Sequence, residues 1–210
     1  MKVVDNFDLI KGLVNDCAEG EFYMLQIIHR SKDGLTKFDN PNEKSHFSNK
    51  TIKTYFVSTP NYLEIKKLEI QELCHIFNAR AYISLTKHSW KQVGLKTLAS
   101  LAQDIANEDY SGVKSIIESS VGQCGSCVKG GATWLVDLDT HDKVELSYVL
   151  EAIQKCEPYD VEKIIAVVPT LNGVHIITRP FNKAKFHEYY GNSIDVHKNN
   201  PTLLYFRKEE

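Results

Sequence analysis

The sequence predicts an α+β fold with a largely antiparallel sheet. Two observations carry that prediction. From residue 133 onward the apolar patterning reads strand, helix, strand, hairpin, strand, helix, strand. Strands and helices mixed in this way, with a hairpin among them, favour an antiparallel sheet over a doubly wound parallel one. The hairpin itself is marked by Thr170-Leu171-Asn172-Gly173 between two apolar runs, and Asn-Gly in that position is the strongest short hairpin signal. The length, 210 residues, allows one domain or two small lobes sharing a core. A single domain over 1–210 is expected, with an N-terminal α/β part at 1–120 and a motif-bearing part at 121–210.

The elements follow in order. Residues 5–17 carry Phe7, Ile10, Leu13 and Val14 at helical spacing. Phe22–Ile28 is a compact apolar run and reads as a strand. Residues 31–50 are polar and hold Asp33-Gly34 and Asn40-Pro41-Asn42, so they are expected to form a flexible loop. Thr54–Ser58 reads as a strand. Leu63, Leu68, Ile70, Leu73 and Phe77 give a helix over 61–77. Ala79–Thr86 alternates, with Ala81, Ile83 and Leu85 on one face and Arg80, Tyr82 and Ser84 on the other. Helices are expected at 90–107 and 110–120, with Asp109 or Ser111 as caps. The Gly- and Cys-rich residues 121–131 read as a loop. Thr133–Leu138 is a strand, Leu146–Cys156 a helix, and Lys163–Pro169 and Val174–Arg179 are the hairpin strands. Lys183–Tyr190 is a helix, and Ser193–Val196 and Thr202–Phe206 are the last strands.

Composition excludes several classes. Apolar residues make up 42% and charged residues 25%, close to globular averages, which excludes a disordered or fibrous chain. A net charge of -2 excludes a polycationic coat on nucleic acid but leaves room for a local basic groove. No run of 18 apolar residues exists, so no membrane span is expected. Asp5, Asp8 and Lys11 interrupt the N-terminal apolar positions, unlike a signal peptide. Five cysteines at irregular spacing, with no export signal, fit reduced thiols in the cytoplasm.

Chemistry concentrates in three stretches. In Trp134-Leu135-Val136-Asp137-Leu138-Asp139 the two aspartates are two apart on a strand, so both point to one face. Their repulsion is relieved by a divalent cation, and Mg²⁺ and Mn²⁺ prefer such oxygen ligands. For the D-x-D pair alone, a solvent-facing strand end that caps the next turn is an equally good reading. In the second stretch, Gly173 permits a close turn, and His175, Ile177 and Arg179 share a face. Arg179 suits bidentate phosphate binding, with His175 as a further donor. Taken alone, a satisfied sheet histidine and a surface arginine explain the same residues better. In the third stretch, Asp195 lies between Ile194 and Val196, followed by His197 and Lys198. Asp195 would complete a three-carboxylate cluster, and His197 and Lys198 are candidates to touch phosphate or nucleic acid.

The order of these motifs resembles the catalytic core of the archaeo-eukaryotic primase superfamily. That family carries an apolar-flanked D-x-D, then a small residue followed two later by His, then an apolar residue followed by Asp. Here these are Asp137 and Asp139, Gly173-Val174-His175, and Ile194-Asp195. The resemblance covers residues 75–206. It implies an RRM-like, mostly antiparallel sheet carrying the acidic motifs, packed beside an N-terminal α/β unit. It also implies that Asp137, Asp139 and Asp195 hold two divalent metals, Mg²⁺ or Mn²⁺, and that His175 contacts the triphosphate. Arg179 is a helper without a family counterpart. The implied reaction is attack of a 3′-hydroxyl on the α-phosphate of a nucleoside triphosphate. The implied partners are a nucleic-acid template or primer and other replication proteins. Arg80 and Tyr82, with Lys87 and His88 following, are candidates for nucleotide or template contact; an ordinary solvated strand edge is an equal reading.

Cys124-Gly-Ser-Cys127 is half of a zinc site. Its other half would have to come from Cys74-His75 or Cys156 by tertiary proximity, so two free thiols are the simpler expectation over structural Zn²⁺. Two other functions fit parts of the pattern. A metal-dependent nuclease or phosphoesterase also needs clustered carboxylates and histidine. A non-catalytic module would stack bases on sheet aromatics, but Trp134, Phe181 and Tyr205 do not form the usual RRM signature.

Overall fold

The computed structural model describes residues 2–33, 49–129, 131–191 and 193–208. The fold is α+β, and both of its sheets are antiparallel. The first sheet contains β1 (Lys2–Asp5), β2 (Glu21–His29), β3 (Lys50–Val57), β4 (Arg80–Ile83), β5 (His88–Ser89) and β10 (Thr202–Lys208). Its order is β1-β10-β4-β2-β3, with β5 paired to β2.

One face of this sheet is the main core. Tyr23, Leu25 and Ile27 alternate inward from β2 and meet Phe7 and Ile10 of α1 (Phe7–Leu13) and Leu63 and Ile70 of α2 (Pro60–Ile76). The start of α2 is fixed locally: Pro60 occupies its first turn, and the Thr59 hydroxyl accepts from the Tyr62 amide at 3.2 Å. Part of the opposite face is covered by α3 (Trp90–Ala106) and α4 (Ile116–Gln123) through Phe22, Val93 and Val121.

The second sheet has the order β7-β8-β6-β9. Along the chain it runs β6 (Trp134–Leu138), α5 (Lys143–Lys155), β7 (Ile164–Pro169), β8 (Val174–Thr178), α6 (Lys183–Tyr190) and β9 (Asp195–Lys198). This is a βαββαβ unit. Val136, Leu138, Ile176 and Val196 turn to one face and bury against Val149 and Ile153 of α5 and Phe186 of α6. The alternate residues Leu135, Val168 and Ile177 turn the other way and join the core of the first sheet. The second sheet therefore has helices behind it and the first sheet in front.

Several boundaries differ from expectation for identifiable reasons. The helix expected from Leu146 begins at Lys143, because the Asp142 carboxylate accepts from the Val144 amide at 2.8 Å and caps it there. α4 runs to Gln123, into the expected loop at 121–131. Neither Asp109 nor Ser111 caps it; the Asp109 carboxylate binds the Ser111 amide and hydroxyl instead. Of the expected loop at 31–50, Ser31–Asp33 forms a 3₁₀ turn and Lys50 already belongs to β3. Residues 34–48 lie outside the described residues. β10, expected beside the motif strands, instead lies between β1 and β4. Its residues Thr202–Phe206 are buried in succession, which suits an interior strand.

Candidate active site

Asp137 lies mid-sheet, and the register of β6 decides its neighbours. On one side it pairs with His175 of β8, and on the other with Asp195 of β9. Directly opposed residues in an antiparallel sheet share a face and lie roughly 4.5–5.5 Å apart at Cβ. His175, Asp137 and Asp195 thus form a row across three strands. Asp139 follows two residues along, just past the end of β6 and exposed. All three motifs converge at one end of one sheet face, the face turned toward the first sheet.

The G-x-H motif has a steric reason. A Cβ on Gly173 would lie 1.9 Å from the Leu138 carbonyl oxygen and 2.5 Å from the Thr140 amide. Only glycine lets the hairpin approach the backbone that carries Asp139.

His175 is held from both sides. Its Nδ1 lies 3.0 Å from the Thr202 hydroxyl, and its Nε2 lies 3.6 Å from Asp137 Oδ1. Burial pushes its pKa below the ordinary value of 6.5; Asp137 and Asp139 pull the other way, and nearby His197 adds to the lowering. The ring is therefore neutral at neutral pH. The Thr202 hydroxyl can donate to Nδ1 or accept from it; when it donates, the ring proton sits on Nε2, facing Asp137 and the cleft.

Across from this row stands the open part of the first sheet. A cleft of about 410 Å³ is lined by Asp137, His175 and His197 on one side and by Ile28, Arg30 and Tyr82 on the other. A narrower polar arm of about 150 Å³ continues past Asp139, between Thr170 and Asn172 of the hairpin and Arg30, Lys32 and Arg80. The cleft wall is thus acidic on one sheet and basic on the other.

The expected contact residues divide. Arg80 and Tyr82 do face the cleft, as their alternation in β4 requires. Arg80 is already engaged: its guanidinium forms a bidentate pair with Asp33, Nε to Oδ2 at 2.7 Å, and lies 4.5 Å over the Phe206 ring. Arg179 lies exposed beyond the far end of β8, four residues from His175. Lys198 pairs with Trp134, on the sheet face opposite the carboxylates, with its ammonium 5.1 Å over the indole. Lys87 is held elsewhere, by the Asp16 carbonyl at 2.8 Å and Glu21 at 3.7 Å. The two cysteines of the C-x-x-C diverge. Cys124 packs beside Phe22 and Val121, while Cys127 Sγ points to Glu21 Oε1 at 3.7 Å. All five cysteines are free thiols.

Two cleft residues carry no local signal in the sequence. Arg30 lines both parts of the cleft, and its guanidinium donates to the Tyr82 hydroxyl at 3.2 Å. Thr202 reaches His175 only because β10 crosses to the first sheet. The scarcity of arginine, four in the chain, was the one clue to Arg30. Among the described residues, no three His, Cys, Asp or Glu side chains form a ready-made metal cage. No protein-family model, curated protein or solved structure matches the chain.

Proposed function

We propose that the chain is a nucleotidyltransferase of primase-polymerase type, with its active site in the cleft between the two sheets. The observation that carries this reading is the row His175–Asp137–Asp195 with Asp139 at its end, facing Arg30 across the cleft. The strand order of the second sheet and its βαββαβ connectivity support an RRM-like description of that part.

The residues fit divalent cations. Mg²⁺ keeps several waters and takes one or two carboxylates together with substrate phosphates, so it does not need a closed protein cage. Asp137, Asp139 and Asp195 are the residues that would hold it or Mn²⁺. When bound, such ions stabilise the attacking and leaving oxygens of an in-line displacement. The chain's own groups do the rest. Neutral His175 donates from Nε2 to a phosphate oxygen, oriented by Thr202. Arg30 supplies a planar, permanently charged grip for the same phosphates. The narrow polar arm suits the phosphates, and the wider part of the cleft, floored by Leu135 and Ile28, suits sugar and base.

The test is incubation of purified protein with a labelled primer–template, Mn²⁺ or Mg²⁺, and nucleoside triphosphates. Extension that disappears in Asp137→Asn and Asp139→Asn is expected. Shortening of the labelled strand without triphosphates, and no extension with them, would assign the cleft to a nuclease instead.

A further inference from the structure

The helix α3 carries an apolar face that the described residues leave uncovered. Of its 17 residues only Val93 is buried. Leu95 is 61% exposed, Leu98 65% and Ile105 54%. A period of 3.6 residues puts these three on one face with Ala99, Ala102 and Ala106, all exposed. Leucines exposed singly need no explanation. Here Leu95, Leu98, Ala102 and Ile105 recur at the alternating short steps of a coiled-coil seam. The alanines between the larger side chains leave holes for the knobs of a facing helix. Helices in proteins gain most of their stability by packing such a face.

The charges along α3 select what covers it. Lys91 stands in the first turn and Lys96 further along, both exposed. The first turn holds no acidic residue and the last turn no basic one. Exposed Glu108 and Asp109 follow directly after the C-terminal cap, Asn107. Both ends therefore oppose the helix dipole, which favours anions at the N-terminus and cations at the C-terminus. A second α3 running antiparallel reverses this, because each basic end meets an acidic one. A parallel copy would set like charges side by side, which is unfavourable. The face is thus complementary to itself.

We propose that α3 is a self-association surface, on which two copies of the chain pair as an antiparallel, two-fold dimer. With the two-fold axis level with residue 100, Leu95 lies opposite the partner's Ile105 and Leu98 opposite the partner's Ala102. Lys91 then lies beside the partner's Glu108 and the partner's Asp109. Such an interface is isologous, so every contact occurs twice. The proposal does not depend on what the cleft binds.

Sedimentation equilibrium of the full chain tests it. A seam of one helix falls at the small end of specific interfaces, so loading runs from about 1 μM to about 1 mM. The wild type is expected to pass from monomer to dimer across that range. Leu98→Glu, which puts a charge in the middle of the seam, is expected to stay monomeric throughout. Because Leu98 is exposed in the single chain, its variant should melt at the wild-type temperature at the lowest concentration. Lys91→Glu and Glu108→Lys should each weaken the dimer about threefold to tenfold, by replacing two exposed ion pairs with like charges. Mixed in equal amounts, these two variants should recover wild-type affinity, since each supplies the charge that the other lacks. A wild type that stays monomeric at every concentration would overturn the proposal and leave the face to a partner of another kind. A dimer that survives Leu98→Glu would overturn it too. So would a mixture no tighter than the single variants, which would exclude the antiparallel arrangement.

Discussion

His175 shows how one side chain can be set by residues distant in the chain. Thr202 fixes one ring nitrogen and Asp137 faces the other, while burial keeps the ring neutral. Because its folded-state pKa is depressed, its contribution to stability is complete above the unfolded value near 6.5 and is lost as pH falls through the folded value. His88 is depressed in the same direction by burial. Thermal melts from pH ~7.5 to ~5 should therefore show a falling Tm, with a smaller fall in His175→Gln. Arg30→Ala should raise KM for the triphosphate by about tenfold to a hundredfold, the loss of a charge-assisted hydrogen bond, with a smaller effect on kcat. Steady-state kinetics over a range of triphosphate concentrations separate the two effects. Alternation along a strand made the sheet face of Asp137 and of His175 legible, while Asp139 and Asp195 were set beside them by motif order. Arg30 and Thr202 were not legible, because their role arises from packing between sheets.

At the scale of elements, the hairpin β7–β8 does more than reverse the chain. It presses Gly173 against the backbone between Asp137 and Thr140. Gly173→Ala should push β6 and β8 apart at the acidic end. We expect a destabilisation of about 1–3 kcal/mol, as for overpacked sites, together with loss of activity. Urea denaturation and primer extension on the same preparation check both. Helices were legible wherever apolar spacing and caps agreed, as at α2 and α6. β1 and β5 were not. They are four and two residues long, too short for periodicity to register, and they exist because longer strands offer them an edge.

For the whole molecule, the informative feature is the return of the chain. β10 leaves the motif sheet and inserts between β1 and β4. Local pattern announces a strand at 202–206 but cannot say which sheet receives it, since that choice depends on contacts across nearly the full chain. The consequence is that 1–120 is not a separable unit. A fragment ending at residue 120 lacks an interior strand of its own sheet and should show no cooperative melt by circular dichroism, whereas the full chain should. The same crossing brings Thr202 and the Asn199-Asn200-Pro201 turn to the cleft, so the site exists only when both sheets are assembled.

The central claim is that the carboxylate row holds a divalent cation together with a triphosphate. Electron paramagnetic resonance of Mn²⁺, titrated into the full chain in the presence of a non-hydrolysable nucleoside triphosphate, measures this directly. The account predicts bound Mn²⁺ in the wild type and a sharp loss of binding in both Asp137→Asn and Asp195→Asn. Mn²⁺ binding that is equal in all three proteins would contradict it.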